Sequence, residues 1–103
     1  MDFKGLINAV YPQKRKVVVS ALVNADTYGR QFDDINVGKV ELMDIPETKE
    51  NVIVFSELSD DKKTAFLINA CIIIRETEVQ SINEHDGKII VLLLNGAYSI
   101  SLN

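Results

Sequence analysis

The stretch that most constrains the fold is Gly87 to Leu102, GKIIVLLLNGAYSISL, where an apolar run from Ile89 to Leu94 meets Asn95-Gly96 and a second run follows at once. Asn-Gly is the strongest short hairpin signal, because a two-residue type I′ turn needs positive φ at both positions. In the second run Tyr98, Ile100 and Leu102 share one face, while Ala97, Ser99 and Ser101 share the other. That is the period of a strand. Asp86-Gly87, just upstream, is a second turn signal of the same kind and leads into this hairpin.

The rest of the chain supplies what such a hairpin packs against. Phe3, Leu6, Ile7 and Val10 recur at helical spacing, with Asp2 available as an N-cap and Pro12 setting the end, so a short amphipathic helix is expected over 2–11. Two or three turns are marginal alone, and this helix must dock on something. Val17 to Val23, VVVSALV, is β-branched and apolar on both faces, which predicts a central strand. The segment 24–36 is polar and reads as the longest loop. Gly38 to Ile45 alternates as a half-exposed strand stopped by Pro46, and Val52 to Phe55 forms the next strand.

Thr64 to Glu76 fits either a helix or a strand. Its isoleucines (68, 72, 73 and 74) favour a strand that closes a hairpin with Val52–Phe55 across the polar turn 59–63. Thr77 to Ile82 then continues it with a bend. The expectation is one domain over 1–103, mainly β, or α+β with one short N-terminal helix. Its sheet is a small antiparallel meander or a barrel of about six strands ending in a β-hairpin. The expected core is Val18, Leu22, Val40, Val52, Phe66, Ile72, Ile90, Leu92 and Ile100.

Composition narrows the function classes more than it selects one. A formal net charge of −4 argues against a general binder of nucleic acid or anionic membrane, whose affinity rests on Lys and Arg meeting phosphates. The single cysteine excludes an internal disulfide, and no apolar run approaches the roughly 20 residues of a membrane span. A cytoplasmic protein without membrane contact is expected.

Residues for catalysis are sparse. His85 is the sole histidine, in the turn sequence Glu84-His85-Asp86-Gly87, and no spacing typical of metal ligands accompanies it. Cys71 lies in the most apolar run and reads as a small buried hydrophobe, since a nucleophile needs an accessible, electropositive setting and a base. Asp33-Asp34 and Asp60-Asp61 read as turn formers rather than as an acid–base pair or a cation site. The glycines are too scattered for a phosphate-cradling loop. No enzyme activity, metal or cofactor is expected.

Three features remain as candidate contact sites. Tyr28, Arg30 and Phe32 stand close together in a polar segment, and Tyr and Arg are enriched at interface hot spots, so they are the expected partner-binding residues. Lys14, Arg15 and Lys16 form a basic cluster that could contact phosphates of a nucleic acid. An N-terminal helix ahead of short strands is similar in outline to small RNA-binding barrels, without a shared motif. Finally, Ala97 to Leu102 has neither charge nor proline, the usual devices that protect an exposed strand edge. Its free side must therefore be covered, either by Val17–Val23, closing a barrel, or by another copy.

The apolar excess of Ile89–Leu94 favours a homo-oligomer, with Ala97, Ser99 and Ser101 as its edge. The leading expectation is a non-catalytic interaction protein, a small acidic β-domain that binds a partner protein, itself, or both. Small regulators, inhibitors and assembly subunits, including those of phages and mobile elements, share this profile. The alternative is a β-barrel that binds nucleic acid through Lys14, Arg15 and Lys16.

Overall fold

The computed structural model describes residues 1–23, 34–58, 68–94 and 96–103. The helix forms where expected, as α1 over Phe3–Val10, and the Asp2 carboxylate accepts a hydrogen bond from the Gly5 N–H at 2.8 Å. That N-cap satisfies one of the amide groups the first turn leaves unpaired. Phe3, Leu6 and Val10 are buried, and a cis Tyr11–Pro12 bond follows.

Among the described residues eight strands follow instead of about six: β1 (Val17–Val23), β2 (Asp34–Val37), β3 (Lys39–Ile45), β4 (Glu50–Leu58), β5 (Ile68–Arg75), β6 (Val79–His85), β7 (Lys88–Leu93) and β8 (Ala97–Leu102). β2 begins within the segment read as loop and ends one residue past it. β5 resolves the ambiguity of Thr64–Glu76 in favour of a strand over its described part, and it pairs with β4 as expected. A 3-10 turn over Glu76–Glu78 separates β5 from β6, which supplies the anticipated bend.

The strands form two antiparallel sheets, one ordered β2-β1-β8-β7-β6 and the other β3-β4-β5. No barrel closes. The chain instead turns two corners between the sheets: Gly38 alone separates β2 from β3, and the 3-10 turn separates β5 from β6. Spatial order around the two sheets follows chain order except at one place, where β1 lies directly beside β8. A single core joins both sheets and the helix, with Val17, Val19, Ile35, Tyr98 and Ile100 on one side, Ile53, Phe55, Ile72 and Ile74 on the other, and Phe3, Leu6 and Val10 from α1. Each such side chain contributes about 1.5–3 kcal/mol by leaving water.

β4 holds both corners through carboxylates at its two ends. At one end the Glu57 carboxylate accepts from the Asn36 N–H at 2.9 Å, beside a bond from the Gly38 N–H to the Ser56 carbonyl. At the other end Glu50 is buried. It accepts from the Thr77 hydroxyl at 2.5 Å and from the Arg75 guanidinium, whose Nε lies 3.0 Å away. Glu76 in turn accepts from the Asn51 N–H at 3.2 Å.

Three expectations about facing and register are overturned. In β1 the buried residues are Val17 and Val19, while Val18 is half-buried and Leu22, beside a bulge, is 50% exposed. In β7 they are Ile89 and Val91, leaving Ile90 half-buried and Leu92 44% exposed. Runs of consecutive apolar residues carry no alternation that selects a face, and a shift of one residue exchanges the two. Of the remaining expected core, Val40, Val52, Ile72 and Ile100 are buried, and Phe66 lies outside the described residues.

The final hairpin forms, but a two-residue turn at Asn95-Gly96 would place Leu94 opposite Ala97, and the observed partner is Leu92. The Leu93 N–H donates to the Gly96 carbonyl, and the Leu94 N–H donates to the Glu78 carbonyl, so this connection is anchored on the 3-10 turn as well. Positive φ at two successive positions occurs at Asp86 (51°) and Gly87 (78°), between the paired His85 and Lys88.

Candidate functional site

β8 is not an edge. It pairs with β1 on one side and β7 on the other, so its backbone groups are spent on internal ladders, and Ala97, Ser99 and Ser101 are not the oligomer edge expected. The internal covering, by Val17–Val23, is the one realised.

These three residues instead lie along the middle of the outer face of the five-stranded sheet. The register gives cross-strand rows of Ala97–Leu92–Ser81, Ser20–Ser99–Ile90–Asn83 and Val18–Ser101–Lys88–His85. Ala97 and Ser99 are themselves buried and Ser101 is half-buried, beside the half-buried Ile90 and the exposed Leu92 of β7. Leu94, just beyond β7, is 61% exposed. Charge stands at the ends of the face, with Lys88 on one strand and Asp34, which accepts from the Ser20 hydroxyl at 2.5 Å, on another.

A second feature lies at the end of the molecule where α1 passes into β1. A cleft of about 480 Å³ is lined by Asn8, Ala9 and Pro12 from the helix end, Lys14 and Arg15 from the linker, Glu84, Gly87, Lys88 and Ile89 from the β6–β7 hairpin, and Leu102 from β8. The linker is fixed on both sides. The Gln13 side chain donates to the Val37 carbonyl at 3.0 Å, and Lys16 and Asn103 exchange backbone bonds of 3.1 and 2.9 Å. Two members of the basic cluster, Lys14 and Arg15, thus border the same cleft as Lys88, which the sequence reading did not select. Lys16 is not part of the lining. Among the described residues, no carboxylate comes within ion-pair distance of Lys14, Arg15 or Lys88.

The other candidates have plainer settings. His85 is exposed at the end of β6, 3.2 Å from the Asp86 carboxylate. Cys71 is half-buried on the outer face of the three-stranded sheet rather than buried, and desolvation together with the Glu41 carboxylate pushes its thiol up, away from the nucleophilic thiolate. Tyr28, Arg30, Phe32, Asp33 and the Asp60-Asp61 pair lie outside the described residues. Among the described residues no helix is long and apolar enough to cross a membrane. No protein-family model, curated protein or solved structure matches this chain.

Proposed function

We propose that this chain is a non-catalytic interaction domain that works by contact with a protein partner, and that its outer sheet face best fits a second copy of itself. The observation that carries this reading is the exposure of Leu92 and Leu94 (44% and 61%) at one end of the outer sheet face. An exposed apolar ridge can cover itself across a two-fold axis, because the same patch then meets its own copy. The central part of the face is uncharged, so copies carrying a net charge of −4 can meet there with little local repulsion. Exposed apolar surface bordered by polar residues is a common mark of protein contact sites.

Light scattering behind a sizing column at tens of micromolar is the direct test. The expected result is a dimer that Leu92→Lys converts to a monomer, with the denaturant midpoints of the two chains converging on dilution, since the side chain is not in the core and only the subunit contact is lost. If the wild-type chain is a monomer, a photo-crosslinker at position 92 in the producing cells decides the rest. An adduct with another protein, absent from a control at the exposed Glu47, keeps the interaction reading and replaces the self-contact. No adduct at all removes the reading.

A further inference from the structure

We propose that the cleft between the α1–β1 linker and the β6–β7 hairpin binds a small phosphorylated molecule with an apolar or planar body. The inference stands apart from the sheet-face contact, which lies on other residues except for Lys88. Three basic residues from two distant parts of the chain border one concavity of an acidic protein, Lys88 from the rim of the β6–β7 hairpin, and none is paired with a described carboxylate. The single acid in the lining, Glu84, leaves it net positive.

The three cations suit a phosphate in complementary ways. An arginine presents a planar fork that matches two phosphate oxygens, and lysines add compact point charges. Ala9, Pro12, Ile89 and Leu102 supply apolar wall, so the lining offers more than charge. Glu84 can accept a hydrogen bond from a ligand hydroxyl. A volume of about 480 Å³ suits one small organic molecule, not a polymer. Preorganisation supports the same conclusion, because Gln13 and the Lys16–Asn103 pair hold the linker on either side of Lys14 and Arg15. A competing role for Lys14 and Arg15 is local: they follow the C-terminal end of α1, where positive charge offsets the helix dipole.

Amide shifts of the isotopically labelled protein, titrated with adenosine 5′-monophosphate, ribose 5-phosphate, adenosine and inorganic phosphate, test the assignment. The expected result is saturable movement of the Arg15, Gly87 and Lys88 amides with the two phosphorylated organic probes, a weaker effect of phosphate at the same amides, and none with adenosine. Arg15→Gln and Lys88→Gln should each weaken binding by about ten-fold, the loss of one charge-assisted contact. Glu84→Gln should tighten it roughly two- to five-fold by removing a like charge. The assignment is overturned if none of the phosphorylated probes moves these amides, or if adenosine moves them equally. It is equally overturned if the glutamine variants lose stability without changing any titration, which leaves only the helix-dipole role. A single-stranded oligonucleotide that saturates at far lower concentration, with steep salt dependence, would replace the small ligand by an extended polyanion.

Discussion

Glu50 is a carboxylate buried where its charge is answered on two sides. The Thr77 hydroxyl first, and then the Arg75 guanidinium, hold its carboxyl below the usual range against the opposing effect of burial. A group that gives up its proton more readily in the folded than in the unfolded chain stabilises the fold above its unfolded pKa. That stabilisation fades as pH falls through the lowered folded value. Denaturant midpoints of the wild-type chain should therefore drop as pH falls below about 4.5, the ordinary value for a glutamate. Glu50→Gln should be less stable at neutral pH and flatter across this acid range. Equal slopes for the two proteins would place the acid sensitivity on other carboxylates.

At the scale of elements, Gly38 sets the bend by which β2 of one sheet becomes β3 of the other. A Cβ built there meets Leu58 Cγ at 2.9 Å, too close for the side chain to stay in place. Gly38→Ala should cost about 1–3 kcal/mol by overpacking, and much of that cost should vanish in a Leu58→Ala background. Strict additivity in the denaturant double-mutant cycle would show that the bend itself, and not the Leu58 contact, requires glycine. The helix was legible because Asp2, Phe3, Leu6 and Val10 sit at fixed helical offsets, and the β6–β7 turn because Asp-Gly tolerates positive φ. β2 was hidden because Asp34–Val37 offers only two apolar positions, Ile35 and Val37, beside a polar segment. The facing of β1 and β7 was hidden for the opposite reason, an excess of apolar residues. Lys14 and Arg15 stood out as a charge cluster, whereas Lys88 joins them only because the fold brings the β6–β7 hairpin to the linker.

Across the whole molecule, seven of the eight junctions around the two sheets join strands consecutive in the chain, and the eighth joins β1 to β8, where Val19 faces Ile100. Closing that contact brings together residues about eighty positions apart, while each hairpin closes only a short loop. Loop-closure entropy rises with length, so the hairpins between consecutive strands can form early and the β1–β8 contact must wait until the intervening chain is in place. The last junction made is then the first released. Ile100→Val should act mainly on the unfolding rate, whereas Ile53→Val in β4 should also slow folding. Chevron plots of the two variants distinguish this order from one in which the β1–β8 clasp nucleates the fold. The same clasp ties the first strand to the last in the middle of the five-stranded sheet, so whichever edge loosens first, β2 or β6, the two ends of the chain stay joined until β1 and β8 part.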